Sequence, residues 1–175
     1  GPLASEVDGE RLTDEEVTFV GILLVLAGID TTWSTLALAI HHLATHPDDQ
    51  ARLRADPALL EPAREEFLRV YAPVTVARQV VDDLLFGGES LGKGDMVLVS
   101  SPSANRDATV FDRADEVVLD RANNRHLAFG SGIHRCLGIH FARMELRIGL
   151  EELLRRVPEF ELDPDRNVTW ALGQV

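Results

Sequence analysis

The chain is short of several residue types, and each shortage excludes a class of protein. Its 175 residues contain one cysteine, Cys136, which rules out a disulfide within the chain and suits a reducing compartment such as the cytoplasm. Lys93 is its sole lysine, and 17 basic side chains face 29 acidic ones, for a net charge of −12. This negative charge argues against nucleic acid or an anionic membrane as the main partner.

Apolar residues, in contrast, are well supplied. They make up 45% of the chain, and at this length they can form one sizeable core, so we expect a single folded unit. Residues 1–5 read Gly-Pro-Leu-Ala-Ser, which is typical of the remnant left by tag cleavage. The predicted folded unit is therefore residues 6–175.

One long apolar stretch is predicted to be a helix. Thr13 and Glu16 fit a capping box, which starts a helix running to about Thr45. Residues 19–40 carry one charge, Asp30, and are long enough to cross a bilayer. A central Asp costs roughly 2.5–3.5 kcal/mol on membrane insertion. We therefore predict a buried core helix, and no membrane span, with a polar stripe made of Gly28, Asp30, Thr31, Ser34 and Thr35.

The residue pattern changes twice after this helix. Two shorter helical stretches end near Tyr71, and residues 74–100 then show the β-branched pairs and glycine turns typical of short strands. Residues 101–128, the meander, are rich in Asn, Asp, Arg and Pro without any periodicity. Residues 137–157 return to an amphipathic helix with leucines at helical spacing. The predicted fold class is mainly α with small β-sheets.

The lone cysteine lies in a glycine-rich segment, residues 129–138, which we call the cysteine loop. Most lone cysteines are buried structural residues. Here, however, glycines would let the backbone approach a bulky group and turn N–H groups toward the sulfur, which suits one bond to a soft metal. The pattern consists of Phe129, Gly130, Gly132, His134, Cys136 and Gly138. It resembles, position by position, the heme-ligand loop of the cytochrome P-450 family, the heme-thiolate monooxygenases.

Two further motifs add to this resemblance. Glu66 and Arg69 match the Glu-x-x-Arg helix motif of the family. Alone this match is weak, because such ion pairs are common on helix surfaces and Glu65 is also placed to reach Arg69. Arg121 aligns with the meander arginine that completes the family's charged triad. The resemblance implies that the triad pins the meander and, through it, the cysteine loop.

Residues 27–32, Ala-Gly-Ile-Asp-Thr-Thr, resemble the distal helix motif of the same family. The resemblance implies that Ala27 and Gly28 leave room for a flat cofactor and dioxygen. It also implies that Asp30 and Thr31 are catalytic and relay protons. A structural alternative is that the Thr31 hydroxyl bonds a carbonyl one turn back and bends the helix. In this family both can hold.

The resemblance implies a cofactor, heme b, and a set of residues that bind it. Cys136 is expected to be the axial ligand of the heme iron, and basic side chains are expected to pair with the two heme carboxylates. The implied cofactor-binding residues are Arg78, His126, Phe129, Gly130, His134, Cys136 and Gly138.

A reaction and partners follow from the same resemblance. A bacterial soluble member activates O2 and inserts one oxygen atom into a small organic substrate. Its electrons come from NAD(P)H through a ferredoxin or flavodoxin and its reductase. A cluster of arginines around the cysteine loop, with Glu145 as the one acid among them, predicts a docking surface for an acidic redox protein. These arginines are Arg121, Arg125, Arg135, Arg143 and Arg147.

The resemblance runs from about residue 10 to residue 175. It corresponds to the C-terminal heme-ligand portion of a cytochrome P-450 domain, with the N-terminal half absent and a cytoplasmic location expected. Such a piece on its own would expose the apolar helix of residues 19–40. The alternative function is therefore a heme-free, catalytically inactive module that self-associates or pairs with the missing half.

A zinc site is a further alternative for the same cysteine. Cys136 could bind zinc together with His134 and His140, and His42 and His46 form a second possible pair at helical spacing. One thiol without paired cysteine spacing makes this a weak pattern.

Overall fold

The computed structural model describes residues 6–7 and 9–169, so the tag remnant predicted at residues 1–5 lies outside the described part. Helices dominate, and each strand has a single neighbour. In chain order the elements are β1 (Glu6–Val7), β2 (Glu10–Arg11), α1 (Asp14–Thr45), α2 (Pro47–Ala55), a short 3-10 helix (Pro57–Leu59), α3 (Leu60–Val70), β3 (Thr75–Gln79), β4 (Leu84–Phe86), β5 (Glu89–Leu91), β6 (Met96–Ser100), α4 (Ser101–Ala104), a second 3-10 helix (Gly132–His134) and α5 (Ile139–Arg156).

Helix α1 starts at the capping box that the sequence predicts. The Thr13 hydroxyl oxygen accepts the Glu16 N–H at 3.2 Å, and the Glu16 carboxylate accepts the Thr13 N–H at 2.8 Å. Two N–H groups at the start of the helix are thereby satisfied. The predicted end near Thr45 is confirmed as well.

The core lies where the second half of α1 meets α2, α3 and α5. Gly149 on α5 brings that helix close to α1, since a Cβ there would lie 3.2 Å from a methyl carbon of Leu36. The meander contributes one fully buried side chain to the same core. The buried core residues are Ala39, Leu43, Leu53, Leu60, Ala63, Phe67, Leu119, Leu150 and Leu154.

The strands form small antiparallel pairs, as residues 74–100 predict. Strand β3 pairs with β6, with Thr75 opposite Ser100, and β4 pairs with β5 in a hairpin. The hairpin turn is made by Gly87 and Gly88, whose φ angles of 60° and 91° are favourable for glycine. A mainly helical fold with small sheets is therefore confirmed.

The meander begins with the four-residue helix α4, and the rest of it has neither helix nor strand. It leads directly into the cysteine loop, in which only the short 3-10 helix is regular. Helix α5 then begins at Ile139, three residues after Cys136. This chain order brings the loop to the N-terminal end of α5.

The first half of α1 differs from its prediction. The sequence predicts a buried core helix, yet Phe19 is 71% exposed, Leu23 57% and Trp33 74%. Within the described residues, the elements that pack on α1 reach its second half, where Thr35 and Ala39 are buried. By length and composition α1 could cross a membrane, a test that core helices of soluble proteins also pass. The exposure of this half agrees with the expectation that the chain on its own leaves the apolar helix of residues 19–40 uncovered.

Candidate functional site

Glu66 on α3 is the centre of a buried charge network. Glu66 and Arg69 are both 0% exposed, and the Arg69 guanidinium donates to the two carboxylate oxygens at 2.7 and 2.9 Å. Arg121 donates through Nε to the same carboxylate at 2.9 Å. The structure therefore brings together the three residues of the predicted triad.

The network binds the meander through its backbone as well. Glu66 accepts the Val118 N–H at 2.8 Å and the side-chain amide of Asn124 at 2.9 Å. Arg69 donates to three meander carbonyls, those of Asn105, Ala114 and Glu116, each at 2.7 Å. One ion pair on α3 thus holds a segment that has few backbone hydrogen bonds of its own.

The pKa of the Glu66 carboxyl shows which effect dominates. Burial would raise this pKa, but hydrogen bonds from Arg69, Arg121 and the Val118 amide outweigh it and lower the pKa. The carboxylate is therefore charged at neutral pH. Removing either partner would leave a buried charge without compensation, which is more costly than never having formed the pair.

The cysteine loop is held by its backbone and leaves its thiol exposed. The Cys136 N–H donates to the Phe129 carbonyl at 2.8 Å, which closes the loop. Gly130 and Gly132 have φ angles of 66° and 68°, which residues with a Cβ rarely adopt. Cys136 itself is exposed. The loop therefore exposes the sulfur to solvent, while the hydrogen bond between Cys136 and Phe129 fixes its backbone.

A second charge network, centred on Glu65, was missed by the sequence reasoning. The Arg143 guanidinium donates to the Glu65 carboxylate at 2.6 Å, Arg64 at 2.8 Å, and His126 through Nε2 at 3.2 Å. Glu65 therefore contacts these three residues, whereas the sequence suggested Arg69 as its partner. Glu65 is adjacent to Glu66 in the sequence, which could have marked it as a candidate. Sequence spacing does not predict its partner Arg143, which is 78 residues away.

His126, which the sequence assigns to a heme carboxylate, is part of this network. Its Nε2 faces Glu65, and its Nδ1 accepts the Ala128 N–H at 3.2 Å, so both ring nitrogens are used. The side chain is 3% exposed. Both ring nitrogens of His126 are thus engaged within the chain, and its pairing with a heme carboxylate stays a prediction.

Helix α1 carries the predicted catalytic pair, Asp30 and Thr31, on its partly uncovered half. The Thr31 hydroxyl donates to the Ala27 carbonyl one turn back at 2.6 Å, and Thr35 does the same to the Thr31 carbonyl at 2.9 Å. The structural alternative for Thr31 is therefore present in the geometry. Asp30 is exposed, and a Cβ built on Gly28 would meet nothing within 4 Å.

Arg78 on β3 and His134 in the cysteine loop are the two exposed basic residues that the sequence assigns to the heme carboxylates. Arg78 is exposed on β3 and donates only to the neighbouring Ala77 carbonyl, at 2.8 Å. His134 is exposed in the loop's 3-10 helix. Within residues 9–169, neither side chain is hydrogen-bonded to another side chain, so both remain available to an anionic group.

The comparisons with known proteins decide the family. A family model described as cytochrome P-450 matches residues 3–171. The chain belongs to the cytochrome P-450 family. Membership implies a heme cofactor.

Three relatives illustrate the similarity. The chain is 45% identical to cytochrome P-450-SU2 of Streptomyces griseolus over 154 residues, which are 87% of the chain and 38% of that protein. It is 41% identical to the steroid C26-monooxygenase of Mycolicibacterium smegmatis, covering 94% of the chain and 41% of that protein. The solved structure of HmtN, a post-tailoring hydroxylase involved in himastatin biosynthesis, has a TM-score of 0.93 and 39% identity, covering 98% of this chain and 47% of that one. The chain thus spans less than half the length of these relatives.

The described residues fit the heme that this cytochrome P-450 family membership implies. The exposed thiol of Cys136 is a soft donor suited to iron. Ile133 and Leu137, on either side of it, are 97% and 89% exposed. Apolar side chains in that position offer a surface that a flat apolar cofactor would cover. The exposed side chains of Arg78 and His134 could donate hydrogen bonds to the heme carboxylates.

The arginines predicted to form a docking surface on this cytochrome P-450 divide into two groups. Arg121 and Arg143 are bound to Glu66 and Glu65, and Arg147 lies 3.6 Å from Glu61. Arg125 and Arg135 are exposed, and their side chains form no ion pair among residues 9–169. Both line a depression of about 430 Å³ beside the cysteine loop. The available positive charge is therefore smaller than the sequence predicts.

The zinc alternative finds no support in the geometry. Among residues 6–7 and 9–169 no three His, Cys, Asp or Glu side chains are grouped so that they could hold a metal ion. His42 instead bonds to Asp49 at 3.0 Å and to the Tyr71 hydroxyl at 2.9 Å, and its ring stacks on His46. These contacts make His42 part of the packing between α1, α2 and α3.

Proposed function

We propose that this chain is the heme-binding part of a monooxygenase in which Cys136 is the axial thiolate ligand of the iron. The geometry of the cysteine loop carries this proposal. Its lone thiol is exposed, while the Cys136 amide is anchored to the Phe129 carbonyl at 2.8 Å. When bound, a thiolate-ligated heme supplies the activation of O2, so that one oxygen atom enters a small organic substrate.

The residues of the loop have distinct roles in this proposal. Gly130 and Gly132 adopt left-handed conformations that turn the loop without a Cβ in the way. Gly138 lies next to the sulfur, since a Cβ on it would be 3.9 Å from Sγ. The Phe129 carbonyl accepts a hydrogen bond from the Cys136 N–H. Together these residues present the sulfur on one side and exclude side-chain bulk around it.

Asp30 and Thr31 of α1 are proposed to deliver the protons that O2 activation would require. The Thr31 hydroxyl donates a hydrogen bond to the Ala27 carbonyl, which leaves the lone pairs of its oxygen free to accept a hydrogen bond. Asp30 is exposed, so its carboxyl group is in contact with solvent. A hydroxyl and a solvent-exposed carboxyl group at consecutive positions of α1 are the groups that a proton relay would use, and reduction of one oxygen atom to water requires two protons.

Arg78 and His134 are the proposed partners of the heme carboxylates. Both are exposed and free of side-chain partners among residues 9–169. His126 is not included, because Glu65 and the Ala128 amide occupy its two nitrogens. The proposal therefore keeps two of the three basic residues that the sequence indicates.

The electron supply is proposed to be NAD(P)H through a reductase and a ferredoxin or flavodoxin, in the cytoplasm. Arg125 and Arg135 are the exposed cations beside the cysteine loop. In a chain of net charge −12 they offer a local contrast that an acidic redox protein would recognise. Such an encounter weakens as salt concentration rises.

Residues 6–175 are proposed to be the C-terminal heme-ligand portion of the enzyme, since relatives extend well beyond the matched region. The rest of the protein would cover α1 and supply most of the substrate site. On its own, the chain is proposed to be inactive and to self-associate or pair with that missing half. The exposed apolar side chains of α1 favour this alternative for the isolated chain only.

An absorption spectrum tests the ligand assignment. In the longer protein, the reduced, carbon monoxide-bound form should show the red-shifted band that marks thiolate ligation, and Cys136→Ser should lose it. Thr31→Ala is the matched control, because it should keep this band while lowering product formed per reductant consumed. A Cys136→Ser protein that retained the band would overturn the proposal.

A further inference from the structure

The aromatic ring of Phe129 contacts two side chains, Arg143 and His126, that bind the same carboxylate, Glu65. The Arg143 guanidinium is 5.2 Å from the ring centroid, at a distance typical of cation–π contact. On another side, the His126 ring centroid is 5.9 Å away at an angle of 49°. Glu65 holds both of these neighbours. Phe129 is therefore packed against two parts of the same charge network.

Glu65 uses its full hydrogen-bonding capacity in this network. Arg143 donates to both carboxylate oxygens, at 3.0 Å to Oε1 and 2.6 Å to Oε2, in the bidentate geometry that fixes a guanidinium. His126 completes Oε2, and Arg64 completes Oε1. Burial would raise the pKa of the Glu65 carboxyl, but the hydrogen bonds from His126, Arg143 and Arg64 lower it to about 2.

The two adjacent glutamates of α3, Glu65 and Glu66, bind different segments of the chain. Glu66 binds Asn124, and Glu65 binds His126, two residues further along the same segment. Glu66 is otherwise directed to the meander, through Arg69 and Arg121. Glu65 is the one that reaches the cysteine loop. Its partners Arg143 and His126 contact the ring of Phe129, and the Phe129 carbonyl accepts the Cys136 N–H.

We propose that Glu65 is a positioning residue for Cys136, acting through His126, Arg143 and the ring of Phe129. The proposal rests on the proposed role of Cys136 as the iron ligand. Fixing the ring fixes the Phe129 backbone, and the Phe129 carbonyl accepts the Cys136 N–H. Arg143 and His126 thus stabilise the hydrogen bond between Phe129 and Cys136 against local opening of the loop.

A simpler interpretation would treat Glu65 as one more salt bridge between α3 and α5. The chain contains a matched case in Glu61, one turn earlier on α3. Glu61 pairs with Arg64 at 2.8 Å and lies 3.6 Å from Arg147 on α5. It is 53% exposed, against 20% for Glu65. Glu61 shares Arg64 with Glu65, but among residues 9–169 neither Arg64 nor Arg147 is in ring contact with Phe129. Glu61→Gln therefore removes a pair between α3 and α5 without removing the contacts with the Phe129 ring.

Amide hydrogen exchange of the 175-residue chain tests the proposal without requiring heme. In Glu65→Gln the Cys136 amide should exchange about tenfold faster, because loss of a charge-assisted hydrogen bond lowers the cost of local opening. Core amides of α2 and of the β3–β6 pair should keep their rates. Glu61→Gln should leave the Cys136 rate unchanged. Equal effects of the two variants, or a uniform change across all amides, would overturn the positioning role.

Substitutions of the ring provide an independent test should Glu65→Gln not fold. Phe129→Leu keeps the Glu65 network but removes the ring, and it should accelerate Cys136 exchange to a similar degree. Phe129→Tyr retains the ring and should behave as wild type. Unchanged exchange in Phe129→Leu would contradict the proposal. Exchange follows the backbone only, so a failure here is distinct from a failure of the Cys136 spectrum, which would remove the ligand role itself.

Discussion

Helix α3 and the first half of α1 lie at opposite extremes of burial. On α3, Glu66 and Arg69 carry charges and are 0% exposed, whereas on α1 Phe19 and Trp33 are apolar and are 71% and 74% exposed. Hydrophobicity alone would predict the reverse. Burial in this chain therefore follows the presence of partners: the charged groups of α3 find theirs among the described residues, and the apolar groups of α1 do not.

This difference in burial divides the chain into two parts. Helix α3 and its charge networks form a buried scaffold, and the first half of α1 forms an exposed apolar surface. The α3 networks are complete within the chain, and they hold the meander and the cysteine loop from behind. The apolar side chains of α1 and of the loop, such as Ile133 and Leu137, are left uncovered. The chain spans less than half the length of these relatives, and its described residues include the network that contacts the cysteine loop. The parts that enclose a cofactor and substrate are proposed to come from elsewhere.

The largest expected effect comes from breaking the α3 scaffold. Glu66→Gln removes the charge that compensates Arg69 and Arg121, and removal of one partner of a buried pair costs about 3–5 kcal/mol. The free energy of unfolding measured in urea should fall by that amount. Glu152→Gln on α5, whose partners Arg155 and Arg156 are exposed, is the control and should leave it unchanged within error. A loss below about 1 kcal/mol for Glu66→Gln would be the value expected of a surface pair.

Acid should weaken the second network of the same scaffold. The folded-state pKa of Glu65 is lowered from 4.5 to about 2. Its contribution to stability is therefore fully present above pH 4.5 and is lost as pH falls from there toward 2. Between pH 6 and pH 3, wild type should lose roughly 2 kcal/mol more than Glu65→Gln. Parallel pH profiles of unfolding free energy for the two proteins would show that Glu65 is not stabilised as a carboxylate.

A smaller pH effect is expected at the buried end of α1. Burial lowers the pKa of His42, and this outweighs the opposing hydrogen bond from Asp49. Since the folded state prefers the neutral ring, stability is complete above the ordinary value of about 6.5 and declines as pH falls below it. The decline from pH 7.5 to 5.5 should stay under about 1 kcal/mol. His42→Gln should flatten this part of the profile, whereas Glu65→Gln should not.

The exposed half of α1 should show the smallest effect on stability and a visible effect on association. Leu23→Gln replaces a side chain that is 57% exposed, so unfolding free energy should change by less than about 0.5 kcal/mol. The apparent mass from light scattering should fall toward that of one chain, because an apolar contact surface is reduced. Leu43→Ala, in the buried half of the same helix, should instead cost about 2–5 kcal/mol. An unchanged mass distribution for Leu23→Gln would place self-association on another surface.

Local features of the fold could be predicted well from the sequence. The capping box at Thr13 and Glu16 requires only residues three apart, so its geometry follows once the helix starts. The glycine turns between β4 and β5 likewise follow from the backbone freedom of Gly87 and Gly88. Motif spacing was also sufficient to indicate the family and to select Glu66, Arg69 and Arg121 as a group.

Partner choice over long distances could not be predicted in the same way. The sequence assigned His126 to a cofactor carboxylate and suggested Arg69 for Glu65, but the structure joins His126 to Glu65. Arg143, 78 residues away from Glu65, is in turn bound by it. Several basic side chains could have satisfied either glutamate by charge alone. Only their distances in the folded chain distinguish them.

The sequence by itself determined the family, the helical class, the cap of α1 and the identity of the one thiol, because these depend on residue type and on neighbours along the chain. The tertiary structure decided which charges are buried, which histidine nitrogens are free and which half of α1 is covered. These properties depend on contacts between segments that are distant in sequence. The free energy of a charge or an apolar side chain is set by what surrounds it, and the surroundings of Glu65 and of Phe19 exist only after folding.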